Sequence, residues 1–431
     1  LLIINQSLGR GEATSQLAFK VQQACEMQVE LQARADTDWG EVDNESATLK
    51  VVWTGKSKLD SQHVVLFMGR TEFPYRFSLG HLPAGHYILQ MTFDPDKSRP
   101  NAKTVFLRSL SLFTKTTKDA DYDVYRYSPV LYGRGMQNTH SDIPLLMYYE
   151  RKTASDSLRE IAYTVIFSNE DGGTDTEGLL QNWGRTTDIE WLYSVFLDKQ
   201  GNFVTGRFQG RHHVETEYAG SFMDQHAALN ICTSNNMARQ DTTSELKFCL
   251  TPLLELPQGK TREAAMDFYP FTYEITNKEM CREGKYESTP DAFTHQASDL
   301  RDYLMIDIDF EANGKGLCNL MPAVCLLADT NVWYSADHHL MKKGPQDRSP
   351  RRMTIELPPG TALNQLAFLK FANPQFADSA SYLEIRAIQQ IAMLDRNYQL
   401  LIHPFSWSGL VRRITLPSPN ELRFALRLEP S

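Results

Sequence analysis

At 431 residues, with 42% hydrophobic and 11% aromatic content, the chain carries enough apolar material to fill two or three cores. Its formal net charge of -9 comes from acids and bases scattered along the chain without a basic block, which argues against nucleic acid and anionic membrane surfaces as partners. No apolar run approaches the roughly 18 residues that a membrane span needs.

The opening Leu-Leu-Ile-Ile is too short for a signal-peptide core, and the absence of an initiating Met sets the expectation of a mature or trimmed form. From there to Ala33 the pattern is double. SQLAFKVQQACEMQV can be laid on a helix, whereas CEMQVELQARA alternates as a strand with Met27, Val29, Leu31 and Ala33 on one side, and the strand reading is preferred. Further short β-type runs follow (ATLKVVWTG, HVVLFMG, YRFSL, HYILQMTF, TVFLRSLSLF), separated by turn material such as Leu82-Pro83-Ala84-Gly85. Residues 1–118 are therefore expected to form a β-sandwich module. The polar KTTKDADYD is the first domain boundary. Its alternating Asp119, Asp121 and Asp123 lack the Gly and closing Glu of a calcium loop and read as a solvated linker.

Residues 119–290 read as a central β-rich domain. A strand around Pro129 to Tyr132 leads into a glycine-rich loop carrying His140 and Asp142, and a second strand puts Leu145, Met147 and Tyr149 on one face. The stretch YTVIFSNEDGGTDTEGLLQNWGRTTDIEW, residues 163–191, places two strands around a connection rich in Asp, Glu, Asn, Gly, Trp and Arg. A β-hairpin is signalled by Asp198-Lys-Gln-Gly-Asn, and GRHHVETEY is expected to continue the sheet. TREAAMDFY is the one short piece that reads as helix, with Thr261 as its N-cap. From 291 to 431 strand texture returns, with Leu357-Pro-Pro-Gly360 echoing the earlier turn, so a second β-sandwich module is expected. The fold class is mainly β and multidomain, with few short helices.

Six cysteines, Cys25, Cys232, Cys249, Cys281, Cys318 and Cys325, allow about fifteen pairings and form no CxxC. The alternatives are disulfides in an exported protein and reduced thiols in a cytosolic one. With the turn-rich β texture, a secreted or periplasmic location is carried forward, with Cys318 to Cys325 and Cys232 to Cys249 as the local pairs. Asn5-Gln6-Ser7 and Asn44-Glu45-Ser46 match a glycosylation sequon, which matters only in a eukaryotic secretory host.

Several enzyme classes lack their motifs. There is no GxSxG, HExxH or GxGxxG, and Leu254 stands where a P-loop ending in Gly259-Lys260-Thr261 would need its first glycine. Asp307, Asp309, Glu311 and Asn313 mimic half an EF-hand loop, but Leu320 replaces the closing Glu.

Candidate site residues fall in the central region. On a strand from Thr187, Asp188 and Glu190 share a face about 7 Å apart, a spacing that suits an acid and a base, or joint binding of a cation, with Arg185 nearby; the plain alternative is a salt-bridged strand entrance. Asp171 and Asp175 in the NEDGGTD loop, with Trp183, suit a sugar hydroxyl or a hard cation, and equally suit turn and N-cap chemistry before Thr176. If GRHHVETEY is a strand, His213, Glu215 and Glu217 share a polar side. With His140, Asp142 and His226, this face could hold a divalent cation, calcium or zinc; histidines in β-domains more often pack or hydrogen-bond.

The leading expectation is an extracytoplasmic binding protein that engages a carbohydrate or protein ligand through the central loops. The alternatives are a secreted hydrolase acting on glycan or phosphoester, through Asp188 and Glu190 or through the metal set, and a structural surface component.

Overall fold

The computed structural model describes residues 2–11, 14–56, 58–135, 137–170, 175–240, 243–286, 291–294, 296–313, 320–338, 349–372, 382–414 and 421–426. The protein is mainly β, with six sheets in a multidomain sandwich arrangement. Its contacts divide it into two compact units: Leu1–Gly172 with Thr187–Pro257, and Gly173–Thr186 with Gln258–Ser431.

The first unit opens with two four-stranded antiparallel sheets. One runs in the order Leu2–Gly9, Thr104–Lys115, Cys25–Ala35, Phe73–Leu82, and the other Ser15–Val21, Gly85–Phe93, Ala47–Gly55, Leu59–Leu66. The expected strand over CEMQVELQARA is present, and Met27, Val29, Leu31 and Ala33 are all at most 2% exposed, as its period of two requires. Glu26 lies on the same strand and is just as deeply buried.

The rest of this unit is a six-stranded sheet and a smaller five-stranded one. The larger is ordered Glu215–Glu217, Phe203–Gln209, Asp188–Leu197, Leu158–Phe167, Pro144–Ser155, Pro252–Glu255, antiparallel except for the last pair. The expected hairpin over residues 198–202 joins two of its strands, closed by the Asp198 N–H donating to the Asn202 carbonyl. The smaller sheet is ordered Phe222–Met223, His226–Ile231, Val130–Tyr132, Lys247–Phe248, with Ala238–Arg239 also pairing His226–Ile231.

The second unit is a sandwich of Arg351–Glu356, Tyr303–Asn313, Tyr382–Leu394, Leu400–Ile402 and Trp407–Ile414 against Asp329–Ser335, Met321–Leu326, Leu366–Ala372 and Glu421–Ala425. Leu304, Ile306, Ile308, Leu369, Phe371, Ile385 and Ile391 form its core. Helices Thr176–Trp183, Ala264–Asp267 and Phe271–Arg282 belong to it. The helix expected over TREAAMDFY is shorter than its pattern, and Thr261 Oγ1 accepts from the Ala264 N–H at 3.2 Å. The 12-residue Phe271–Arg282 was not expected: its β-branched Thr272, Ile275 and Thr276 depress the helical signal, while Ile275, Thr276 and Met280 supply the buried face that holds it.

Candidate functional site

Asp188 and Glu190 lie on the Asp188–Leu197 strand and are 1% and 7% exposed. Each anchors a different turn. The Asn236 side-chain N–H donates at 2.9 Å both to Asp188 Oδ2 and to Asp142 Oδ1, and Asp142 is itself ion-paired with Arg134. The amide must present its nitrogen to the two carboxylates, because its oxygen would repel them. Gln209 Nε2 donates to Glu190 Oε2 and lies 3.4 Å from Met237 Sδ.

The turn held by Asn236 joins Ile231 to Ala238. The Asn236 N–H donates to the Thr233 carbonyl, the Met237 N–H to Thr233 Oγ1, and the Cys232 N–H to the Met237 carbonyl, with Asn236 itself at φ +51°. These bonds tie the turn at its ends and through the Asn236 nitrogen, while Asn236 Oδ1 is buried without a hydrogen-bond partner among the described residues. The turn next to Gln209 is Arg211–His213, a 3-10 turn between Phe203–Gln209 and Glu215–Glu217, with the Gly210 N–H donating to the Val214 carbonyl. This corrects the expected continuous strand: His212 and His213 stand at φ +59° and +58°, so the period-two reading of His213, Glu215 and Glu217 as one face does not apply. Two consecutive left-handed histidines are an unfavourable backbone that the surrounding hairpin enforces.

Between these turns opens a groove of about 380 Å³, within the range of small-ligand sites, lined by Arg211, His212, His213, Thr233, Asn235 and Met237. Comparison with protein-family models and with curated proteins returns no match. The groove is therefore judged on its own chemistry: one guanidinium, two imidazoles, a hydroxyl, an amide and a single thioether.

The other predicted residues go elsewhere. Asp175 caps the Thr176–Trp183 helix, its Oδ1 accepting from the Gly178 N–H at 2.6 Å, as the turn-chemistry alternative expected. Trp183 lies under the Arg351 guanidinium at 5.8 Å, and Arg185 pairs with buried Glu263 at 3.2 Å. Asp171 lies outside the described residues.

The proposed metal set is not brought to one centre. Glu215 pairs with Arg207, His213 lies at the groove, Asp142 in the Asn236 network and His140 at the end of the short Gln137–His140 helix. Among the described residues no group of three His, Cys, Asp or Glu side chains is placed to hold a metal ion. Nor does the Cys232 to Cys249 disulfide form, since Cys25, Cys232, Cys249, Cys281 and Cys325 are all free thiols; Cys318 lies outside the described residues.

His226 instead joins a buried carboxylate that the sequence did not single out. Glu26 receives His81 Nδ1 at 3.2 Å on Oε1 and faces His226 Nε2 at 3.3 Å on Oε2, while His226 Nδ1 donates to the Ser128 carbonyl at 2.8 Å. Burial opposes the Glu26 charge, but the two histidines outweigh it and hold the carboxyl down to about 2. The same contact, against partial burial, raises His81. Burial, with the Glu26 charge adding to it, pushes the neighbouring Cys25 thiol up to about 11. Glu26 and His81 escape sequence reasoning because an acid inside an otherwise apolar alternating strand carries no mark of its partner. Asn236 and Gln209 escape it because an amide's role is set by carboxylates 48 and 19 residues away.

Proposed function

We propose that the protein is an extracytoplasmic binding protein that takes a carbohydrate into the groove between the Arg211–His213 turn and the 233–237 turn. The observation that carries this reading is the double anchorage: Asp188 holds Asn236 in one turn that flanks the groove, and Glu190 holds Gln209, the last strand residue before the other. A site whose walls are fixed before the ligand arrives loses little entropy on binding. The lining favours a glycan over a protein partner, because five of its six side chains are polar and Met237 is the only apolar one, whereas protein interfaces centre on apolar and aromatic anchors. A hydrolase using Asp188 and Glu190 would require both carboxylates to leave these donors, while binding uses them as they stand. Free thiols at five described cysteines withdraw the disulfide argument for export, so the compartment is decided by fractionating source cells.

The test is calorimetric titration of glycan-array hits into the full chain and into Asn235→Ala and His212→Gly. Loss of about fivefold or more in affinity in each variant is expected, from one lost hydrogen bond apiece. A blank array, or hits that both variants bind unchanged, would overturn the assignment.

A further inference from the structure

The arginine at the groove differs from the other arginines of its unit whose partners are known. Arg70, Arg76, Arg99, Arg108, Arg134, Arg151, Arg159 and Arg207 of the same unit all have ion pairs, Arg10 donates to carbonyls, and Arg34 and Arg126 lie over rings. The Arg211 side chain, by contrast, is exposed and has no hydrogen bond, ion pair or ring contact among the described residues, and the same holds for the side chains of His212 and His213. Among the described residues no carboxylate lines the groove. The chain carries a net charge of -9, so three consecutive basic residues left without partners are not the product of a general basic excess. Their left-handed backbone at His212 and His213 adds to the same conclusion, since strain of this kind persists where the surrounding structure over-determines it.

We infer that the groove takes an acidic glycan, one whose sugars carry carboxylate or sulfate groups, with Arg211 as the fork that receives the anion and His212, His213, Thr233 and Asn235 as hydrogen-bonding partners for the anion and the flanking hydroxyls. Guanidinium suits both anions because its planar N–H pairs match two oxygens at once. This inference rests on the glycan-binding reading above and adds the charge of the ligand to it.

The experiment uses the full chain on a printed array of neutral, carboxylated and sulfated oligosaccharides, followed by titration of the strongest acidic hit, its uncharged counterpart (the methyl ester or the desulfated sugar) and a poly-glutamate peptide of equal charge. The acidic sugar is expected to bind at least about tenfold tighter than the uncharged one, to weaken as salt rises, and to lose about tenfold in Arg211→Gln. Circular dichroism melting of Arg211→Gln checks that the exposed substitution leaves the fold intact. Equal binding of the uncharged sugar would overturn the acidic assignment and keep the glycan reading. Binding of poly-glutamate as tight as that of the sugar, or an array without hits, would overturn both. Carboxylated and sulfated hits identify which anion the groove prefers.

Discussion

Two pairs of histidines in the same unit are put to opposite uses. His81 and His226 close on Glu26, a carboxylate only 1% exposed, at 3.2 and 3.3 Å. Among the described residues His212 and His213 meet no carboxylate; they stand exposed on a left-handed turn and line an open groove beside Arg211. The difference lies in where the acids were spent. Glu26 is matched to histidines and stabilises the packing around it. Asp188 and Glu190 are matched to amides, which fixes two turns and leaves the basic groups on one of them available. A buried acid stabilises in both regions, but only the second leaves something for a ligand to do.

The comparison breaks most visibly at Glu26. Glu26→Ala leaves buried His226 and half-buried His81 around a missing partner and is expected to cost about 3 kcal/mol in urea unfolding; a change below about 1 kcal/mol would show that the three groups do not form a unit. The pH dependence follows in sign. The lowered Glu26 contributes in full above its ordinary 4.5, and this contribution is lost as pH falls toward about 2. The raised His81 contributes in full below its ordinary 6.5, and this is lost as pH rises through its folded value. The stability gap between wild type and Glu26→Ala should therefore be widest between pH 4.5 and 6.5 and narrow on both sides.

At the groove, Asn236→Ala removes the donor shared by Asp142 and Asp188 and puts alanine at φ +51°. About 2–3 kcal/mol of stability should be lost. Ligand affinity should fall with it, because the 233–237 turn loses its buried pin, and unchanged affinity in titration would mean that the turn holds its shape without Asn236. A smaller effect is expected at Gly80, which stands at φ +70° with the place of a Cβ 3.4 Å from His226 Nε2. Gly80→Ala should cost about 1 kcal/mol in thermal or urea unfolding, from the left-handed backbone alone, and leave the groove's affinity unchanged.

How much of this was legible in the sequence depends on whether the information was local. Strand periodicity located Cys25–Ala35, turn residues located the hairpin over residues 198–202, and N-cap chemistry offered the Asp175 cap beside a ligand-binding reading, because each is written within a few adjacent residues. Asp188 and Asp142 were both visible as unusual acids in a β-rich region, but their convergence on Asn236 is a product of sheet order, in which residues 142, 188 and 236 come from three separate segments. The Arg211–His213 turn was misread because Val214, Thr216 and Tyr218 supply a strand-like alternation, and nothing in the residue types announces two consecutive left-handed histidines. An unpaired cation is likewise invisible in a sequence, since being unpaired is a property of everything around it.

The smallest expected effect separates binding from stability most cleanly. His213 adopts a left-handed backbone that glycine accepts without cost to its side chain, and its imidazole is exposed and makes no contact that the fold depends on. His213→Gly should therefore raise stability by about 0.5 kcal/mol, the relieved left-handed conformation slightly exceeding the greater freedom of glycine in the unfolded chain. It should also lower affinity for the groove's ligand, because a hydrogen-bonding ring is gone. Opposite signs in unfolding and titration would mean that the histidine is held there for the ligand at the expense of the fold, which Gly80→Ala, with its cost to the fold and none to the groove, could not mimic. If His213→Gly instead destabilised the protein, the imidazole would be supporting the hairpin, and the contrast with His81 and His226 would fail.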